Sequence, residues 1–228
     1  MQAVILAGGL GTRMRPLTEK IPKPMLPVNG RPFLYHQIEL LKSQGFSRFL
    51  LLVAYRGDEI RKFFLDGKSL GVHIEYSDEA SPLGTGGALK NAEARLDAEF
   101  LLLNGDTFLD IHYQDLAVAY KACGSPAMVV AYENGQKRLP NNLAVASGGE
   151  VTAYSKKDAA GVTHVDAGVI ALDKRILELI PAGRSCSLEE EIYPVLVRRR
   201  ELRAWPTSEA FIDIGSPAGL EALGRKLP

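Results

Sequence analysis

Residues 3–18 read AVILAGGLGTRMRPLT: five apolar residues, three glycines within four positions, then Thr12, Arg13 and Arg15. An uninterrupted apolar run bounded by glycine predicts a short strand buried on both faces. Gly8-Gly9-Leu10-Gly11 strips side chains from the point where the chain leaves that strand. Successive N–H groups can then approach an anion, and the arginines offer charge-assisted bonds to phosphate. In an open α/β fold such a loop stands at the carboxyl edge of the sheet, where ligands bind. Two common phosphate motifs are excluded. The loop ends Gly11-Thr12-Arg13 rather than Gly-Lys-Ser/Thr, and Met14 stands where a dinucleotide fingerprint needs its third glycine. By itself the loop reads equally well as a tight turn with surface arginines.

Outward from this stretch, short apolar runs alternate with helical patterns. Strands are predicted at Ala3–Ala7, Phe49–Tyr55, Phe100–Leu103, Ala127–Tyr132 and Val165–Leu172, and Val72–Tyr76 alternates as a half-buried strand does. Residues 32–44 place Leu34, Ile38 and Leu41 on one face, with Pro32 at the start and Gly45 past the end. Residues 85–96 and 115–122 are also helical in pattern, and Ser187 with Glu190 predicts a capping box before a helix to about residue 199. Asp110 is expected to cap the helix that follows it. This alternation implies a largely parallel sheet covered on both faces. Leu143–Tyr154, turning at Gly148-Gly149, predicts an antiparallel hairpin beside it. Residues 1–228 are read as one domain, with no repeat, low-complexity tract or linker.

Lys plus Arg and Asp plus Glu both number 27, so no global field favours nucleic acid or a membrane surface. Cys123 and Cys186 match no metal or redox spacing, which suits a reducing compartment. No apolar run approaches the roughly 18 residues of a membrane span, and no charged segment precedes an apolar stretch at the N-terminus. A cytoplasmic protein without nucleic-acid or membrane partners is expected. The four histidines, His36, His73, His112 and His164, are scattered without mutual spacing, so no nucleophile–base triad is predicted. Arg198-Arg199-Arg200 closes a helix, where cations suit the dipole.

Lys23 breaks the ambiguity of the glycine loop. It lies in Ile21-Pro22-Lys23-Pro24-Met25-Leu26-Pro27-Val28, where flanking prolines restrict the lysine backbone. The series Gly8-Gly-x-Gly-Thr-Arg-x-Arg-Pro-Leu-Thr18, then Pro22-Lys-Pro-Met-Leu-Pro-Val28, Pro82-Leu-Gly-Thr-Gly-Gly-Ala88, Leu103-Asn-Gly-Asp-Thr-Phe108 and Phe211-Ile-Asp-Ile-Gly-Ser-Pro217 resembles the sugar-1-phosphate nucleotidyltransferases. The match covers essentially the whole catalytic domain of that family. Within it the chain most resembles D-glycero-D-manno-heptose 1-phosphate guanylyltransferases, with mannose-1-phosphate guanylyltransferases and N-acetylmuramate-1-phosphate uridylyltransferases as close rivals.

The resemblance implies a three-layer α/β/α Rossmann-like fold with a mixed, mostly parallel sheet. It implies attack by a sugar-1-phosphate oxygen on the α-phosphorus of a nucleoside triphosphate, expelling pyrophosphate. A phosphate monoester has a second pKa of about 6 and arrives anionic, so no general base is needed. The demand is instead for cations, a divalent metal and N–H groups that hold two anions together and stabilise the transferring phosphoryl group. By resemblance Arg13 meets the β- and γ-phosphates, Lys23 the α-phosphate, and Asp106 and Asp213 hold Mg2+, a hard cation suited to one or two carboxylates plus phosphate oxygens. Nucleotide contacts are implied for Leu6, Ala7, Gly8, Gly9, Gly11, Thr12, Arg13, Lys23, Glu79, Gly84 and Thr85. Sugar-phosphate contacts are implied for Asn104, Lys157, Asp166 and Gly168.

The sequence departs from the family pattern at the sugar end. Lys156 stands where a sugar-binding glutamate is usual, Asp166-Ala167-Gly168 replaces Asn-Gly-Gly or Asn-Ala-Gly, and Asn142-Leu143 replaces Tyr-Gly. Glu79 occupies the place of a base-reading glutamine in uridine- and thymidine-using relatives. An ionised carboxylate only accepts, and guanine presents N1–H beside its N2 amine, so GTP is the expected donor. The chain stops soon after Asp213, so an appended acyltransferase-type domain is not expected; a homodimer is a reasonable expectation. An inactive nucleotide-sugar-binding module is the rival reading from another class, and the joint presence of Arg13, Lys23, Asp106 and Asp213 argues against it.

Overall fold

The computed structural model of the protein describes residues 1–135, 139–155 and 161–227. Seven strands build the main sheet: β1 (Gln2–Leu6), β2 (Arg48–Val53), β3 (His73–Asp78), β4 (Glu99–Asn104), β5 (Ala127–Tyr132), β6 (Val165–Asp173) and β7 (Leu202–Thr207). Their order is β7-β5-β6-β4-β1-β2-β3. Every neighbouring pair is parallel except the two made by β6, which runs against both β4 and β5. The mixed, mostly parallel sheet is therefore as expected. The edge strand β7 has no counterpart among the predicted strands; Pro206 interrupts its apolar pattern, and proline is tolerated because the strand lies at an edge.

Alternate residues of each strand feed two separate cores. On one face Ile5, Leu51 and Leu103 pack with α1 (Phe33–Ser43), α2 (Gly57–Phe64) and α4 (Tyr113–Cys123). On the other, Val4, Leu50, Leu102 and Val129 pack with α3 (Gly84–Asn91) and α5 (Tyr193–Arg198). This is the three-layer α/β/α arrangement. A third, small cluster joins Val28, Phe33, Phe108, Ile214 and Leu223, the last from α6 (Pro217–Lys226). α2 and α6 are additions to the predicted helices.

The hairpin Leu143–Val145/Val151–Tyr154 forms as expected and turns through Gly148-Gly149. It leans on the β7 edge through the Ala204 N–H to Gly149 carbonyl bond of 2.8 Å. Two capping expectations are corrected. Asp110 does not cap α4: the Tyr113 N–H donates instead to Gln44 Oε1 at 2.7 Å, a residue just past the end of α1. Ser187 does cap its helix, accepting from the Glu190 N–H at 3.2 Å, but the carboxylate that reaches back to the Ser187 N–H belongs to Glu191, at 3.1 Å. The shift by one residue arises because the helix opens as a π-turn over Leu188–Ile192 before α5 begins.

Candidate active site

The carboxyl ends of β1, β2, β3 and β4 meet at one sheet edge. Beyond them lies a pocket of about 620 Å³, within the range of small-molecule sites. Leu6, Gly8, Gly9, Lys23, Glu79, Gly84, Thr85, Asn104 and Asp106, all anticipated from the sequence, line it. Ala7 does not: it is fully buried, and its N–H continues the sheet by donating to the Leu52 carbonyl at 2.8 Å. Gly11, Thr12 and Arg13 follow the loop away from the pocket wall into a short 3₁₀ turn, Thr12–Met14, anchored by buried Met14. No histidine lines the pocket among the described residues.

Two glycines make this convergence sterically possible. Gly11 sits at φ +61°, where a Cβ would lie 2.9 Å from Thr18 Cγ2 and 3.2 Å from Lys23 Cβ. The glycine loop and the Pro-Lys-Pro segment can touch only because that atom is missing. At Gly105 a Cβ would lie 2.3 Å from the Leu6 carbonyl oxygen. Its absence lets the turn after β4 press against the end of β1 and brings Asp106 beside the glycine loop.

Lys23 is the hinge of the charges. Its side chain is only 8% exposed, and its Nζ lies 2.6 Å from Asp106 Oδ2 and 3.5 Å from Asp213 Oδ1. A buried ammonium needs such partners, since an unpaired charge away from water costs several kcal/mol, on the order of 3–5. Arg13 approaches Asp213 Oδ2 from the solvent side at 4.0 Å. The two carboxylates arrive from residues far apart in the chain and are joined by a two-stranded ladder that begins one residue after Asp106, in which Asp213 pairs with Thr107 and Ile212 with Phe108. The Ile214 N–H donates to the Asp106 carbonyl at 3.0 Å, and the Gly215 N–H to Asp213 Oδ1 at 2.6 Å.

Gln37 is a residue that motif reading passes over. It is buried on α1, and its Nε2 donates to the carbonyls of Asn104 at 2.9 Å and Thr107 at 2.8 Å, bracketing Asp106. Its Oε1 finds no partner among the described residues. The signal was its place on the apolar stripe of α1, three residues after Leu34 and four before Leu41.

At the base side, Glu79 is half-buried. Burial pushes its carboxyl up, while the Leu83 N–H, bonded to Oε2 at 2.9 Å, pulls the other way. Its Oε1 lies against Gly8. Gly84 and Thr85 open α3 directly behind it.

At the opposite end, Asp166, the second residue of β6, shares a small recess with Asn104. Its Oδ2 accepts from the Tyr154 hydroxyl at 3.0 Å and its Oδ1 from the Gly168 N–H at 2.8 Å. The β6–β5 register is irregular between Asp166 and Ile170. Lys157 and its neighbour Lys156 lie outside the described residues.

Such an arrangement holds polyanions: N–H groups and cations at a loop, two hard oxygen donors, and polar walls on either side. Comparison with known proteins bears on this chemistry. A family described as "Nucleotidyl transferase" matches residues 2–225. A D-glycero-alpha-D-manno-heptose 1-phosphate guanylyltransferase of Campylobacter jejuni is 36% identical over 95% of this chain and 96% of its own length. A mannose-1-phosphate guanyltransferase of Saccharomyces cerevisiae is 32% identical over 95% of this chain, which spans 62% of that relative's length. The chain spans about three fifths of such mannose-1-phosphate relatives. The crystal structure of HddC from Yersinia pseudotuberculosis complexed with GMP-PN superposes with a TM-score of 0.81 at 30% identity, covering 99% of this chain and 98% of that one.

Proposed function

The chain belongs to the nucleotidyl transferase family, and from that premise we propose that it transfers GMP from GTP to a sugar 1-phosphate, releasing pyrophosphate and a nucleotide sugar. The observation that carries this reading is the Lys23 ammonium held between Asp106 and Asp213 at the mouth of the glycine-loop pocket. The attacking oxygen is already anionic, so the protein's work is to bring anions together and to meet growing charge on the α-phosphoryl group. Lys23 is the cation nearest the pocket and faces that group. Arg13, exposed at the outer rim, takes the departing pyrophosphate. The glycine-loop N–H groups hold the triphosphate between them.

Asp106 and Asp213 would hold Mg2+. They fit it: two hard carboxylates already converge on one cation, and magnesium is typically bound by one or two carboxylates plus substrate phosphates. When bound, the ion would supply positive charge against the phosphate oxygens that Lys23 also faces.

Guanine is favoured by Glu79, whose carboxylate accepts from the N1–H and N2 amine, and by the guanylyltransferase names of the relatives. The acceptor is a manno-configured sugar 1-phosphate, D-glycero-D-manno-heptose 1-phosphate first because that relative matches over nearly its full length, mannose 1-phosphate second. We place the reaction in the cytoplasm, in keeping with two free cysteines. No helix among the described residues is long and apolar enough to cross a membrane.

The test is pyrophosphate release by the full chain across GTP, UTP, CTP and ATP, each with a panel of sugar 1-phosphates and magnesium. GTP with a manno-configured acceptor is expected to turn over fastest. No turnover with any pair would replace this reading by an inactive binding module, and nucleoside diphosphate release would make the protein a kinase.

A further inference from the structure

The glycine loop and its continuation, residues 8–20, stand outside the main sheet with little to fasten them. Met14 and Thr18 are the only buried residues of that stretch, and Leu10 and Leu17 are each half exposed. Its backbone bonds close on itself, the Met14 N–H donating to the Gly11 carbonyl at 2.9 Å and the Glu19 N–H to the Pro16 carbonyl at 3.1 Å. The Arg13 side chain is 72% exposed, and its ion pair with Asp213 spans 4.0 Å. So exposed a pair cannot fix a long side chain. The place of Arg13 is set by whatever holds the loop.

Tyr55 holds it. This residue lies two positions beyond β2 and lines the pocket. Its hydroxyl donates to the Glu19 carbonyl at 2.9 Å, with the Thr18 carbonyl beside it at 3.3 Å. The same oxygen accepts from Arg56 Nε at 3.2 Å, which leaves the one phenol proton for those carbonyls. Arg56 reaches back because its backbone is left-handed, at φ +52°, a conformation uncommon outside glycine and concentrated at functional sites. From the clamped turn, buried Thr18 continues inward: its Oγ1 donates to the Gly11 carbonyl at 2.8 Å, and its Cγ2 fills the space that a Gly11 Cβ would need. Among the described residues, no hydrogen bond but those of Tyr55 joins residues 8–20 to another part of the chain.

We propose that Tyr55 and Thr18 are positioning residues for the outer phosphates of the nucleotide: a strut from the Tyr55 phenol through the Thr18–Glu19 turn to Gly11 fixes the glycine loop, and with it Arg13, before a ligand arrives. This rests on the reading above, in which that loop and Arg13 take the triphosphate. A preformed seat spares the ligand the cost of ordering the loop. Without the strut, a nucleotide that carries β- and γ-phosphates meets that cost on binding. One that ends at the α-phosphate makes no demand on Arg13 and escapes it.

The experiment measures binding of GTP and of GMP to the full chain by calorimetry, with magnesium and no sugar, so that turnover plays no part. Tyr55→Phe keeps the ring against the pocket and removes only the hydroxyl. Thr18→Val keeps the shape and removes Oγ1, and the Gly11 carbonyl still accepts from the Met14 N–H, so no acceptor is orphaned. Each variant should raise the Kd for GTP about fivefold, as the loss of one hydrogen bond allows, with the Kd for GMP within about twofold of the parent. The double variant should bind GTP about as well as the weaker single one, since both bonds belong to one strut. Equal losses for GTP and GMP would make Tyr55 a wall of the base site and overturn the proposal. So would a lowered melting temperature with GTP affinity unchanged, which reduces both residues to packing while the transferase reading stands. A parent that binds neither nucleotide overturns both.

Discussion

The phosphate end and the acceptor end of this pocket are built on different plans. At the phosphate end, Lys23, Asp106 and Asp213 ride on three short segments outside the main sheet, tied together by the Asp213–Thr107 ladder and the Val28–Phe108–Ile214 cluster. At the acceptor end, Asn104 ends one main-sheet strand, Asp166 lies near the start of another, and Glu189 comes from a helix irregularity. The first region balances its charges internally, cation against carboxylates. At the second, Asp166 and Glu189 border a recess the size of a hydroxyl, each carboxylate held by hydrogen bonds. On the proposed function, the shared chemistry would lie in a self-contained charge unit and the choice of substrate in the scaffold around it, so substitutions at the two ends should fail in different ways.

The largest effect is expected from Asp106→Asn. Turnover should fall about 10²- to 10³-fold, because a neutral amide is a poor magnesium ligand. The fold should persist because Lys23 keeps Asp213 at 3.5 Å. Turnover within about threefold of the parent at saturating magnesium would make Asp106 structural and break the comparison at its stronger side.

Gln37→Leu sharpens it. The variant removes both Nε2 bonds that bracket Asp106 while keeping the bulk. The magnesium concentration for half-maximal rate should rise about tenfold, as when a partner of a metal ligand is lost, with the KM for sugar unmoved. A lowered melting temperature with unchanged magnesium dependence would reduce Gln37 to a packing role.

The smallest effect on turnover is expected at Glu79. Glu79→Gln should lower the preference for GTP over UTP about tenfold and the rate with GTP much less. Burial raises the Glu79 carboxyl above the ordinary 4.5, so the accepting, ionised form is lost at a higher pH than for an exposed glutamate. Base preference in the parent should therefore decline as pH falls through that raised value, and the glutamine variant should show no such decline. A parent that prefers UTP would sink the guanine reading.

The same contrast explains what could be read beforehand. Arg13, Lys23, Asp106 and Asp213 are legible through the resemblance of their motifs to the sugar-1-phosphate nucleotidyltransferases, since the glycine loop alone reads equally well as a tight turn. Strands β1, β2, β4, β5 and β6 announced themselves as apolar runs because both their faces are buried. Pro206 hides β7 from pattern reading, and α6 falls inside a motif although Ser216-Pro217 is a sound helix start. Glu189 was illegible for a physical reason. Three consecutive glutamates follow Leu188, and only the π-turn decides which of them faces the pocket and which caps Ser187. No local pattern encodes that extra residue per turn.

The small cluster of Val28, Phe33, Phe108, Ile214 and Leu223 is separate from the two cores that flank the sheet. Stability is not uniform within a domain, and such a unit can open at a lower free energy than the whole. Val28, Phe108 and Ile214 each follow closely behind Lys23, Asp106 and Asp213, so an opening of this cluster releases all three charges in one cooperative event. In amide hydrogen exchange the Ile214 N–H, bonded to the Asp106 carbonyl, would report that event while the interior of β1 stayed protected. On the proposed function, the working fraction would then follow a local equilibrium, and a molecule with its sheet intact would already have lost the Lys23–Asp106–Asp213 unit.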